Sequence, residues 1–155
     1  MRAFNFTADD TINGNEGTLQ AILNGRVEEM AMVDEFEANV ELNKVEVQIL
    51  GSRWTHHKVT GMTGTGNMRL KYITSQFRQM VVEYGRTGRM PQISLIGTND
   101  DPASTVGRQT VALRNVLIDG TKMFALNSDK DILDEEIGFT FTDVEVLEAF
   151  RAPTR

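Results

Sequence analysis

The 155-residue chain contains no cysteine, which removes disulfides, thiolate catalysis and cysteine-based zinc or iron–sulfur sites together. It also lacks any apolar run near the roughly 20 residues a membrane-spanning helix needs. Its start, Met1-Arg2-Ala3-Phe4-Asn5-Phe6-Thr7-Ala8-Asp9-Asp10, has none of the apolar stretch of a signal peptide, so synthesis in the cytosol is expected. The only histidines, His56 and His57, are adjacent, and adjacent side chains of an extended segment point apart, so they make no ligand pair without a third donor. Gly61, Gly64 and Gly66 form neither a Gly-x-Gly-x-x-Gly fingerprint nor a P-loop and read as flexibility. Asn127, Asp129 and Asp131 imitate the opening of a calcium loop, but Ile132 stands where its glycine belongs and Gly138 where its glutamate belongs. There is no Gly-x-Ser-x-Gly elbow, and nothing marks two of the many acids as a catalytic pair. No catalytic residue, metal ligand or cofactor is therefore expected, and a carboxylate-dependent hydrolase is a distant reading.

What is present is charge in blocks and strand periodicity. A chain of this size, with 40% hydrophobic and 25% charged residues, supports one core and one main domain. Its net charge of -6 is unevenly spread: residues 27–43 hold six acids and no base, residues 51–89 seven bases and one acid, and residues 129–148 eight acids and one base. Such blocks are either solvated faces or self-complementary surfaces by which one copy meets another.

The clearest local signal is in residues 35–43. Glu35, Glu37, Asn39, Glu41 and Asn43 alternate with Phe36, Ala38, Val40 and Leu42, which predicts a strand greasy behind and acidic in front. The parity slips at Asn43-Lys44, as a bulge or sharp bend would require. Asn24-Gly25 predicts a hairpin between strands 18–23 and 26–32. Residues 67–73, 92–97, 109–119 and 133–147 read as further strands, with a turn-rich connector at 98–102 and a second parity slip after Phe141. Residues 51–66 read as a long loop. Ser75 caps a predicted helix whose Phe77, Met80, Val81 and Tyr84 face the sheet and whose end is Gly85. Residues 1–16 read as an extended arm, 17–150 as the single domain, and 151–155 as a frayed tail. The expected class is mainly β, a β-sandwich or partly rolled barrel carrying one packed helix. Trp54, the single tryptophan, sits in the polar loop beside Arg53, either folded back or serving as an interface anchor.

The order Asn-Gly-Arg-Val-Glu-Glu-Met-Ala, Phe36-Glu37-Ala38-Asn39-Val40-Glu41, Asn43-Lys44, Glu46-Val47, Gly51-Ser52-Arg53, His57-Lys58, Gly61 to Gly66, Thr74-Ser75-Gln76-Phe77 and Glu135-Glu136-Ile137-Gly138-Phe139-Thr140-Phe141 resembles the tail tube protein of contractile-tailed bacteriophages. The type is that of PBSX-like defective prophages and phage-tail-like bacteriocins. The resemblance implies a structural protein, not an enzyme, whose copies form hexameric rings stacked into a tube with one shared intersubunit β-barrel. It implies a virion or phage-tail-like particle assembled in the bacterial host cytoplasm. The implied partners are further copies, the tail sheath, and tape measure, baseplate and tail terminator proteins. DNA is implied only as transient, unbound cargo, and no stable membrane association is implied. On that footing Glu35, Glu37, Asn39 and Glu41 are expected to face the lumen, with Asp143 and Glu145 in or near it, while Phe36, Val40 and Leu42 pack under the helix. Arg53, Trp54, His57, Lys58 and Met62, in the 51–66 loop, are expected to contact a neighbouring subunit. The residues taken alone also admit a small-ligand or polysaccharide-binding β-domain, which would be monomeric in solution.

Overall fold

The computed structural model describes residues 7–30, 33–73 and 75–152. Asn24 and Gly25, at φ 51° and 82°, supply the two positive angles of a type I′ turn and fold β1 (Gly17–Leu23) onto β2 (Arg26–Glu29). β3 (Val33–Val47) and β4 (His56–Lys71) form a second, much longer hairpin, in register from Val33 opposite Leu70 to Val47 opposite His56. At about 3.3 Å per residue it is nearly 50 Å long. α1 (Gln76–Thr87) follows, then β5 (Ile93–Asp100), β6 (Arg108–Ile118), β7 (Asp134–Phe141) and β8 (Asp143–Glu148).

All neighbouring strands run antiparallel, in the order β2-β1-β5-β6-β7-β4-β3, with β8 attached to β6. β6 holds two sheets together. Residues 110–113 lie between β5 and β8, whereas Leu117 and Ile118 pair with β7. The change comes at Asn115, which is at φ 56° where the β5–β6 register shifts. An extra residue there bends the strand and increases its twist, so the sheet rolls over on itself. Leu19, Ala21, Ile93, Leu95, Leu113 and Val116 from one side then bury against Met68, Leu70, Ile137, Phe139 and Phe141 from the other, with Phe77 and Met80 of α1 filling the end.

The expected mainly-β, rolled architecture with one packed helix is found, with corrections of detail. The 51–66 loop is mostly strand: β4 begins at His56, and only residues 48–55 connect the hairpin. The glycines of this stretch are packing sites. A Cβ on Gly64 would come within 2.5 Å of the Phe141 ring, and one on Gly66 would enter the Phe139 ring and meet Glu37 O at 2.5 Å. Each glycine lies directly opposite its phenylalanine, so the ring covers bare backbone and takes the place of the missing side chain. Phe36 stacks on Phe139 at 5.5 Å.

α1 ends at Gly88, not Gly85; Gly88 has φ 75° and its N–H donates to Tyr84 O at 2.8 Å. Ser75 occupies the N-cap position without a side-chain capping bond. Phe77 and Met80 are buried, but Tyr84 is exposed, and Val40 and Leu42, expected under the helix, are exposed as well. β5 runs through the predicted connector as far as Asp100, and the expected last strand is two, broken at Thr142. Residues 7–16 of the predicted arm are hydrogen-bonded to the body of the chain. Asp9 O accepts from Thr105 N, Asp101 Oδ2 from Asn13 N, and Glu16 O from Asp100 N, which fastens the segment to the β5–β6 turn. Arg151 N donates to Val106 O at 2.7 Å, which holds Arg151 there. Residues 1–6 of the predicted arm, 31–32 of the predicted second strand and 153–155 of the predicted tail lie outside the described residues.

Candidate functional site

In β3, Glu35, Glu37, Asn39 and Glu41 lie opposite Arg69, Asn67, Thr65 and Thr63 of β4. Cross-strand partners share a face, so the acidic stripe belongs to a wider polar surface, which Glu136 and Thr140 of β7 extend. Its other side carries Phe36, Met68, Ile137 and Phe139, the core. Arg69 lies 3.6 Å from Glu35 and offsets its charge. Glu37 accepts from Asn39 Nδ2 at 3.2 Å, and neither Glu37 nor Glu41 is in an ion pair among the described residues. Asp143 and Glu145 are on β8, and both meet Arg114 of β6, at 3.8 and 2.7 Å. The sequence places Arg69 in the 67–73 strand and Arg114 in the 109–119 strand, but their pairing with these acids depends on strand order, which no local pattern carries.

The charge blocks first meet within the chain. β4 brings Arg69 and Lys71 beside Glu35 and Asp34, the latter pair at 3.0 Å. Arg78 of α1 reaches Glu135 at 2.8 Å. What remains of the basic block without an ion pair among the described residues includes Arg53 and Lys58, at the far end of the hairpin.

That end is ordered. Ser52 N donates to Ile49 O around Gly51 at φ 87°, and Ser52 Oγ accepts from Trp54 N while meeting His56 Nε2 at 3.0 Å. Leu50 is wholly exposed and Trp54 is 81% exposed; the tryptophan is not folded back. His57 lies opposite Glu46 and Lys58 opposite Val45. The predicted slip is present, but the extra residue is Thr60 of β4: the register passes from Asn43 opposite Gly61 to Lys44 opposite Val59. β3 therefore keeps its alternation, and Val45 and Val47 continue the side that carries Glu41. Met62 is remote from the tip. With Val40, Gly64, Phe141 and Val144 it lines an apolar notch where the hairpin parts from β8.

At the opposite end of the molecule, residues 120–133 join β6 to β7 without regular structure. Glu135, 1% exposed, fastens the segment by accepting from Thr121 Oγ1, Lys122 N and Arg78 Nη1. Arg78 also donates to Lys122 O and lies over the Tyr72 ring, and Leu133 O accepts from Tyr72 N. Beyond these anchors Met123, Phe124, Leu126 and Ile132 are exposed. Among the described residues, no group of three His, Asp or Glu is placed to hold a metal ion, and no helix is long and apolar enough to cross a membrane. β2, β3 and β8 each have one edge without a strand partner there.

Residues 5–148 match the family model described as phage tail tube protein. The chain is 43% identical over 145 residues to the uncharacterised protein YqbM of Bacillus subtilis (strain 168), covering 94% of this chain and 96% of that one. It is also 43% identical over 141 residues to the phage-like element PBSX protein XkdM of the same organism, covering 91% and 93%. Among solved structures, a chain of the sheath/tube terminator of the extracellular contractile injection system PVC superposes with a TM-score of 0.71 at 9% identity, covering 92% of this chain and 100% of that one. A chain of the PVC sheath–tube complex superposes with 0.64 at 11%, covering 92% and 94%. At such identities the likeness is one of fold.

Proposed function

Because the chain belongs to the phage tail tube protein family, a family of structural and non-enzymatic proteins, we propose that its copies close into hexameric rings and that the rings stack into the inner tube of a contractile tail. The observation that carries this reading is the β3–β4 hairpin: one face is polar, and among the described residues Glu37 and Glu41 are in no ion pair and the outer edge of β3 has no strand partner. An exposed edge of 15 residues invites addition of another strand, and a closed ring removes such edges. The β8 edge and the apolar notch beside it supply a second surface for the next copy.

In that arrangement the polar face of β3 and β4 lines the channel. Carboxylates repeated around it repel phosphate, so a nucleic acid passing through is not retained; in a particle without a genome the same tube pierces an envelope. Asp143 and Glu145, balanced by Arg114, contribute less charge there than Glu37 and Glu41. Arg53, Trp54, His57 and Lys58 at the hairpin tip reach a neighbouring subunit. The sheath surrounds the tube, a tape measure protein occupies it, and baseplate and terminator proteins bound its ends, in a virion or phage-tail-like particle. The solved chains of similar fold come from a sheath–tube complex and a sheath/tube terminator.

Electron microscopy of the purified chain tests the reading: six-fold rings or tubes with β3 around the channel are expected, and uniform monomers at high concentration overturn it. The double substitution Glu37→Lys with Glu41→Lys is expected to leave tubes that retain DNA at low salt, whereas tubes of the unmodified chain do not.

A further inference from the structure

Two exposed apolar clusters stand at opposite poles of this molecule. Residues 48–55 carry Leu50 and Trp54 where β3 and β4 meet their connector. Residues 120–133 carry Met123, Phe124 and Leu126 beside the other end of the same hairpin, because Asp134 pairs with Lys71 and Leu133 O with Tyr72 N. Apolar side chains of this size, gathered and exposed, mark contact surfaces. The two poles also differ in charge. Lys44, Arg53 and Lys58 lie at or near the tip beside a single acid, Glu46. In the other segment Lys122 and Lys130 both turn to Asp134, at 3.4 Å from its carbonyl and 3.9 Å from its carboxylate, and neither pairs with Asp129 or Asp131. Lys44, Arg53, Lys58, Asp129 and Asp131 are in no ion pair among the described residues.

Resting on the tube reading above, we propose that the hairpin tip of one copy seats on residues 120–133 of a copy in the next ring. Trp54 and Leu50 cover Phe124 and Leu126, and Arg53 and Lys58 face Asp129 and Asp131. The contact is heterologous, since two different surfaces meet, and such contacts propagate instead of closing on themselves. Poles separated by the length of the hairpin give the contact its axial direction. The acceptor is preformed: Glu135 and Arg78 pin the start of the segment and Leu133 its end, so its apolar residues are presented at a fixed place and less order has to be gained on docking.

The absence of native cysteine makes the test direct. Full-length protein carrying Trp54→Cys and Phe124→Cys is assembled and treated with oxidant or a short bismaleimide, and the products are separated under denaturing conditions. A ladder of covalent multimers is expected from the double variant and from no single variant. An equimolar mixture of the two single variants is expected to stop at dimers. Dimers from either single variant alone mean that like poles meet, which overturns the proposal. Tubes of the double variant, seen by electron microscopy, that give no cross-link overturn this acceptor and leave the tube reading standing. Unmodified protein that forms neither rings nor tubes overturns both. Arg53→Glu is expected to lower the yield of tubes at least tenfold and to leave single rings, with recovery when Asp129→Lys and Asp131→Lys are added; no recovery counts against the charge pairing.

Discussion

Gly66 and Gly61 belong to the same strand and differ in what an added methyl would meet. At Gly66 it enters the Phe139 ring and presses on Glu37 O; at Gly61 the nearest atom is Asn43 Nδ2 at 3.8 Å. Gly66→Ala is therefore expected to destabilise the unassembled chain by about 1–3 kcal/mol through overpacking, while Gly61→Ala stays within about 0.5 kcal/mol of the parent. Urea unfolding at concentrations below assembly reads both, and equal midpoints would sink the packing account. Glu135 makes the second residue-scale case. With Arg78 removed, a carboxylate that is 1% exposed keeps, among the described residues, Thr121 and Lys122 N as its partners. Arg78→Met is expected to cost about 3–5 kcal/mol, as breaking one side of a buried pair does. Adding Glu135→Gln removes the stranded charge and should return most of the loss, and the order of the two unfolding midpoints decides it.

Among the elements, the β3–β4 hairpin shows what local sequence reveals and what it hides. β3 was legible because its alternation is intact and its polar face stays uncovered, so pattern and environment agree. The part of β4 from His56 to Gly66 was not. Its apolar face is made by Gly64 and Gly66 together with Phe141 and Phe139, which come from the far end of the chain, and no window around residues 51–66 contains them. The end of α1 was missed for a simpler reason: Gly85 and Gly88 both suit a left-handed cap, and hydrogen bonding to Tyr84 chose the later one. The hairpin also suggests how to remove its outer part cleanly. Leu42 faces Met62 and Asn43 faces Gly61, so deleting residues 44–60 joins Asn43 to Gly61 and writes the Asn-Gly turn that already closes β1 onto β2. Because Asn-Gly favours a type I′ turn, the shortened chain is expected to keep its circular dichroism spectrum and lie within about 1 kcal/mol of the parent. It is also expected to form no stacked tubes, and tubes of normal length from it would remove the tip from the assembly.

At the scale of the whole molecule, the order of the charge blocks was visible in the chain, but their first use was not. β4 lies between β3 and β7, so much of the basic block is spent inside one copy on Asp34 and Glu35, while Arg78 carries it to Glu135. Only a topology makes those neighbours, and the same holds for the acidic pair on β8 that Arg114 balances. Which surfaces the fold leaves open follows from strand order: β3, the last strand of the path, has an edge with no strand partner among the described residues. Amide hydrogen exchange on β3 is expected to be fast in dilute protein wherever its N–H groups point away from β4, and at least a hundredfold slower after assembly. Unchanged exchange would mean that assembly leaves this edge free.

The two poles of the molecule are joined by the backbones of β3 and β4 themselves. A push or pull applied between the tip and residues 120–133 travels along two covalent strands side by side, and peptide geometry makes an extended strand nearly inextensible. Transfer to β7 and its neighbours passes through a ladder whose hydrogen bonds lie across the strands. Such bonds are loaded in shear, so they share the force instead of parting one after another. The long hairpin thus acts as a strut, and a column of such struts would transmit thrust with little shortening.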